Sequence, residues 1–535
     1  MKHLTTKYFV ILVIILSALI GSPNLAMAEN EKTLNVTVTT PAATADPSNF
    51  SDAASADIMT QTMTGLYQLD NHGKVIPGIA TKIVSPTNNG KVYTFELRHS
   101  KWSNGEPVVA DDFVYALRRM ADPQTKSQIA QMLINIQNFK AAMTGKAKPD
   151  TIGVKALSKY KLQITLAKPT PYLNTLLALV VYPLNQKAVT KYGSKYGTNG
   201  QSILTNGAYK LANWNSTAEK WDYIKNNNYF DAKDVHIQKV HTQVIKDSNT
   251  GYNLFSDGKV QETSLSGTMA RQNEHDPELT YQKSAQLYYL AYNAQKKATG
   301  NLDFRRAVAY AINRKALTNN VLQDGSIPAY NMIPTGLATN SKNQDFSKAS
   351  GKDVTYDKHK AQQYWQAAQK KLGKKVSVSL LTSDEDSAKK IADYLQGQLQ
   401  QTLKGLSVHI VTNPAQQKLQ QQVKGNFEMT VQGFGSGVND PIDYLNFSSA
   451  GNSFNFGRYH NQAYEAVMTK VNSNEDANNA DKRWQDMLRA SKLQMTQQPV
   501  TPLYQKRTPR LINKQVKNLN YLMLIDAQYR YATYK

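Results

Sequence analysis

The chain has 535 residues, 41% hydrophobic and 19% charged, and its 63 Lys and Arg against 40 Asp and Glu give a formal net charge of +23. This apolar content excludes a disordered chain, and the length points to two or three packed units, not one core. The absence of cysteine excludes disulfides, thiolate metal sites and a lipid carried on an N-terminal cysteine.

Residues 1–28 read as a cleavable signal peptide. Lys2 and Lys7 precede an apolar run from Tyr8 to Ile20, then Pro23 and the small-residue site Ala26-Met27-Ala28. The run is shorter than the roughly 18 residues needed to span a bilayer, so cleavage before Glu29 is expected rather than an anchor. An exported protein is thus expected, extracellular or associated with the cell surface. The basic balance that remains predicts electrostatic attraction to anionic lipids or wall polymers, with a merely solvated lysine-rich surface as the alternative.

Leu34, Val36 and Val38 alternate with polar residues as a first half-buried strand, which Asp46-Pro47 follows as a break. A helix is expected from Ala53 to Leu66, then a turn at Asp70-Asn71-His72-Gly73 and an extended stretch from Val75 to Val84. Tyr93, Phe95 and Leu97 mark another strand. Asp111 and Asp112 open a helix with Phe113, Leu117 and Met120 on one face, and Pro123 ends it. Leu162, Ile164 and Leu166 predict a strand closed by Pro169 and Pro171. Asn301 or Asp303 could cap a helix running from Phe304 to Leu317.

The clearest unit spans Lys375 to Val411. Strand positions Val376, Val378 and Leu380, helix positions Ile391, Leu395, Leu399 and Leu403, and strand positions Leu406, Val408 and Ile410 predict a parallel βαβ crossover. Phe427, Met429 and Val431 alternate as the next strand, leading into a glycine-rich loop, Gly433-Phe434-Gly435-Ser436-Gly437. Such strand ends are where α/β sheets place ligands.

Catalytic chemistry finds no support in these residues. Ser436 lacks the flanking glycine of a nucleophile elbow, since Phe434 stands two before it, and the glycine cluster lacks the Lys and Ser or Thr of a phosphate loop. Nine histidines fall singly, without metal-ligand spacing. Asp111-Asp112 and Asp384-Glu385-Asp386 stand before helices and are read as capping residues. The lysines are dispersed without an aromatic-interleaved module, which argues against specific nucleic-acid binding. No catalytic residue, cofactor or metal is expected. The five tryptophans are read as core or cleft-wall residues.

An ordered set of motifs carries a family resemblance. In sequence these are Asp46-Pro47, Thr64-Gly65-Leu66, Pro77-Gly78-Ile79-Ala80, Tyr93-Thr94-Phe95-Glu96-Leu97-Arg98, Lys101-Trp102-Ser103-Asn104-Gly105 and Ala110-Asp111-Asp112-Phe113. Thr205-Asn206-Gly207-Ala208-Tyr209, Asn228-Tyr229-Phe230-Asp231, Phe304-Arg305-Arg306-Ala307-Val308 and Asn439-Asp440-Pro441 continue them. Over essentially the whole mature chain this resembles the oligopeptide-binding proteins of ABC importers, the family 5 solute-binding proteins.

The resemblance implies an α/β, two-lobed fold of the type II periplasmic-binding-protein kind with a ligand cleft between the lobes. Lobe I would be discontinuous, from 29–72, 200–295 and 505–535, with an additional domain at 73–199 packed on it and lobe II at 296–504. It further implies that an oligopeptide is captured in the cleft and delivered to the membrane permease subunits of the importer. Matching motif loops places cleft contacts at Ser51 and Ala53 in lobe I and at Gly433, Phe434, Gly435 and Gly437 in lobe II. Phe434 stands where the family usually has tryptophan, and Gly437 where peptide binders commonly carry an aspartate for the ligand's free amine. Asp440 could substitute for that acid, or serve as a turn residue before Pro441; a blocked ligand or a non-peptide solute are further possibilities, as is a basic surface-interaction protein or adhesin on the same fold.

Overall fold

The computed structural model describes residues 33–535, so the expected signal peptide lies outside them. The predicted first strand forms as β1 (Leu34–Val38), with Leu34 and Val36 fully buried. A hairpin of β2 (Tyr67–Leu69) and β3 (Val75–Pro77) follows. Next comes a small antiparallel sheet of β4 (Val92–Glu96), β5 (Val154–Ser158) and β6 (Lys161–Thr165), with β6 in the middle. The chain then returns to the β1 sheet with β7 (Tyr209–Ala212), β8 (Lys220–Lys225), β9 (Lys239–Val244) and β10 (Glu262–Ser264).

Two long strands carry the chain across the molecule: β11 (Leu279–Tyr292) and, near the C-terminus, β16 (Val500–Ile512). Between them lie β12 (Ile327–Pro328), β13 (Val376–Ser383), β14 (Leu406–Asn413) and β15 (Met429–Gly435). The large sheet runs β14-β13-β15-β11-β16-β10-β1-β9-β8-β7, with β12 also on β16. The far end of β16, at Arg510–Ile512, pairs with β10, while β11 pairs with β15 over 286–292. β11 and β16 therefore join two halves, and their mutual register slips between Lys283 and Leu287. One buried cluster gathers Leu34, Phe95, Trp102, Tyr209, Trp221 and Tyr529; the other half is built on clusters drawn entirely from residues 285–504.

The predicted crossover is present: β13 and β14 are parallel, connected through the helix Asp386–Thr402, whose Ile391, Leu395 and Leu399 are buried. The helix opened by Asp111 and Asp112 spans Ala110–Ala121. Asp112 accepts hydrogen bonds from Val109 N at 2.9 Å and Trp102 Nε1 at 3.1 Å, a structural role consistent with capping.

Three expectations change. The first helix is Ala53–Thr62 and stops before Leu66, because Met63 is extended and Gly65 packs so closely on the next layer that a Cβ there would sit 2.5 Å from the Leu177 carbonyl oxygen. The extended stretch after Val75 ends as a strand at Pro77, where a Cβ on Gly78 would meet the Gly65 carbonyl at 2.6 Å. The helix expected to run to Leu317 is Leu302–Ala311, capped by the Asn301 side chain, and it breaks at the extended Ile312. Buried Arg314 makes that break tolerable by donating to the carbonyls of Ala309, Ile312 and Pro502 at 3.2, 3.3 and 2.7 Å. Asp303 instead pairs with Lys371 at 3.5 Å.

Candidate functional site

Where β11 and β16 cross from one half to the other, they floor a cavity of about 630 Å³. One wall is built from strand ends and a helix start: Thr37 and Val38 finish β1, Ser264 finishes β10, and Ala53, Ala54 and Asp57 project from the first helix. Tyr521, Asp526 and Tyr529 of the C-terminal segment complete that wall. The opposite wall holds Val321, Leu322, Asp324, Ser387 and Lys390. On the floor Tyr288 of β11 and Tyr504 of β16 stack with ring centroids 4.7 Å apart and planes 7° from parallel. Burial pushes both phenols up, so they stay neutral and serve as flat, sequence-tolerant surfaces.

Charges of both signs surround this floor. Lys506, Arg507 and Arg510 of β16 and Lys390 opposite bring cations, while Asp57 and Asp526 on the first wall and Asp324 on the opposite one bring anions. Arg510 donates to Glu262 at 2.7 Å and lies 3.8 Å from Asp526. Asp57 is 7% exposed. Its carboxylate accepts from Gln61 Nε2 at 3.2 Å and the Tyr223 hydroxyl at 3.4 Å. Burial, reinforced by the negative charge of Asp526, pushes it up to about 7.

The residues singled out from sequence take different positions. Ala53 lines the cavity, whereas Ser51 is exposed outside its lining. Gly433 and Gly435 are not in an open loop: they continue β15, opposite Tyr288 and Gln286, which do line the cavity. The physical reason is space, since a Cβ at Gly433 would lie 3.0 Å from the Tyr288 ring. Phe434 alternates to the other face and packs edge-on against Tyr444 and Phe447 at 5.3 and 4.2 Å. Gly437 lies against Met132 of the segment between β4 and β5, where a Cβ would come 2.8 Å from the Met132 methyl. Nearby, Asn439 accepts a hydrogen bond from Thr175, a second link between the halves.

Asp440 is not available as a substitute acid. Arg483 grips both its oxygens at 2.8 and 2.9 Å, and Oδ1 also accepts from Ile442 N, the turn role expected of it. The cavity residues that sequence reading missed are chiefly Asp57, Asp526, Tyr288 and Tyr504. Only the Tyr288-Tyr289 pair within an apolar run gave a local signal. Among the described residues no group of three His, Cys, Asp or Glu is placed to hold a metal ion, and no helix is long and apolar enough to cross a membrane.

Two lobes joined by crossing strands, with a cavity over the crossing, define a two-lobed solute-binding protein of the periplasmic-binding kind. Residues 74–456 match the family model described as bacterial extracellular solute-binding proteins, family 5 middle. A dipeptide-binding protein of Lactococcus lactis is 31% identical over 526 residues, covering 95% of each chain. The structure of Listeria monocytogenes OppA bound to peptide has a TM-score of 0.78 at 33% identity, covering 95% of this chain and 99% of that one. The pheromone receptor PrgZ, solved to show its mode of peptide binding, has a TM-score of 0.79 at 34% identity, covering 94% and 100%. The chain belongs to the family 5 bacterial extracellular solute-binding proteins.

Proposed function

We propose that this protein captures oligopeptides in the cavity between its lobes and delivers them to the membrane permease subunits of an ABC importer, catalysing no reaction itself. The observation that carries this reading is the cavity's construction: strand ends on one wall, a floor of stacked tyrosines at the crossing strands, and charges of both signs. Strand ends offer backbone groups to an extended ligand, and the flat floor accepts varied side chains. The similar proteins, a dipeptide-binding protein and an OppA bound to peptide, support the same ligand class.

Lobe I and the 73–199 domain would form one body and lobe II the other, the hinge lying at the register slip of β11. Within the site, Ala53 touches ligand directly, Gly433 acts by leaving room for Tyr288, and Gly435, exposed at the end of β15, leaves the ligand access to the strand's backbone. Outside the cytoplasm, the basic surface would hold the protein to anionic wall polymers or lipids, so rising salt should release it from cells. Mass spectrometry of ligands released on denaturing the folded protein, after incubation in a peptide digest, tests the central reading. Recovered peptides are expected; their reproducible absence would refute it.

A further inference from the structure

The acids in and around the cleft differ in how their charge is met. Behind the lining Glu262 is met by Arg510 at 2.7 Å, Asp440 by Arg483 at 2.8 Å, and Asp222, on the neighbouring β8, by Lys239 at 3.2 Å, while Asp324 on the opposite wall accepts from Ser326 N at 2.9 Å. Asp57 has neutral donors, Gln61, Tyr223 and the backbone at Ala527, and its charged neighbour is a second carboxylate, Asp526. Asp526 in turn reaches only an arginine already taken by Glu262, at 3.8 Å, and is 49% exposed toward the cavity rim. A carboxylate buried as deeply as Asp57 without a cation is costly, and the half-exposed carboxylate of Asp526 beside it adds to that cost. On the same wall the Trp221 indole N–H, in a residue 2% exposed, lies beside the Tyr223 phenol but makes no hydrogen bond of good geometry to it or to any other described group.

We propose that Asp57 and Asp526 form a subsite that takes the ammonium or guanidinium group of a basic ligand side chain, with Trp221 positioned to donate to a carbonyl oxygen beside it. This rests on the peptide-binding reading of the cleft and adds the class of side chain preferred there. An incoming cation would supply the missing countercharge beside two carboxylates, and Lys390, Lys506 and Arg507 on the other surfaces would repel it, leaving Asp324 as the one further acid of the lining. The titratable groups facing Asp57 are Asp526 and Tyr529 from the C-terminal segment and Tyr223 from β8. Both tyrosines are pushed up by burial and stay neutral, so Asp57 sets the pH response.

The test is calorimetric titration of ligand-stripped protein with tetra-alanine peptides in which a single lysine, or its neutral analogue norleucine, is walked through the four positions. At pH 8 lysine is expected to beat norleucine by at least about tenfold in one register. With Asp57 protonating near pH 7, that ratio should fall by about tenfold at pH 6. Asp57→Asn should abolish the ratio, and the rim substitution Asp526→Asn should reduce it in a protein whose melting is unchanged. Equal affinity for the two peptides in every register, or a lysine preference that survives Asp57→Asn, would overturn the cation subsite while leaving peptide capture standing. Failure of both peptides to bind wild-type protein at any pH would overturn the peptide reading and the subsite with it.

Discussion

Asp440 and Asp57 are buried to nearly the same extent, 8% and 7% exposed, and belong to the two halves that the crossing strands β11 and β16 join. One is gripped by Arg483 through two hydrogen bonds and ends a turn. The other faces the cavity with neutral donors and a like charge. Burial alone therefore says little about what an acid does. The paired carboxylate is part of the scaffold of lobe II, and the unpaired one stores an unfavourable charge that a ligand could relieve.

The largest effect should come from removing the cation on the scaffold side. Arg483→Met leaves Asp440 buried and uncompensated, and the expected loss is about 3–5 kcal/mol of stability. A thermal melt at neutral pH would show this, and an unchanged melting temperature would make the two acids equivalent after all. On the cavity side the sign reverses. Because the folded-state value for Asp57, about 7, lies above its usual 3.8, the stability it contributes is fully present below about pH 3.8 and is lost as pH rises through 7. Asp57→Asn should therefore raise stability at pH 8, by no more than about 4 kcal/mol, and by little at pH 4. A melting series from pH 4 to 8 checks it: the gap between variant and wild type must widen with pH. A gain in stability with a loss of basic-ligand preference is the trade expected of a binding residue.

The contrast between these acids also marks what the sequence could reveal. Alternation placed β1, β4 and the β13-helix-β14 crossover because each buries one face or one stripe, and Asp440 was readable as a turn residue from the proline beside it. Arg483 stands 43 residues away in another helix, so no local pattern announced the pair. The hinge strands were harder still. In β11 residues 290–292 are buried on both faces, and Leu287-Tyr288-Tyr289 puts an aromatic residue, not a polar one, on the cavity face, so the polar alternation that identifies a half-buried strand is lost. Tyr504, the stacking partner of Tyr288, comes from a distant part of the chain. Asp57 looked like an ordinary polar residue in a helix, since its burial comes from Tyr223 and from the C-terminal segment at Ala527. The glycines of 433–437 were legible as special, but the reason for Gly433, space for Tyr288, lies on the neighbouring strand.

A change on the floor between the two acids has a smaller expected effect. Gly433→Ala would bring a methyl group 3.0 Å from the Tyr288 ring, which is stacked on Tyr504 and has little room to yield. A cost of about 1–3 kcal/mol in stability is expected, accompanied by weaker peptide binding as the floor tilts. If stability falls while affinity for every peptide stays the same, the tyrosine pair is a packing element and not a ligand platform.

The smallest effect expected is also the one that bears most directly on how the lobe II edge differs from the lobe I wall. Gly437 is exposed, and an aspartate there would displace only the mobile end of Met132, so Gly437→Asp should fold normally. Its carboxylate would meet a ligand amine in partly solvated surroundings, where an ion pair contributes about 0.2–1 kcal/mol. The expected outcome is a gain of a fewfold in the preference for free-amine over N-acetylated peptides, reduced by added salt. That gain should be independent of pH between 6 and 8, whereas any preference owed to Asp57 must change across the same range. Measuring both preferences in one double variant, Gly437→Asp with Asp57→Asn, would separate recognition of a terminus at lobe II from recognition of a side chain at lobe I. An unchanged amine preference would place Gly437 outside reach of the ligand, leaving the carboxylates of the lobe I wall to neutralise its positive charge.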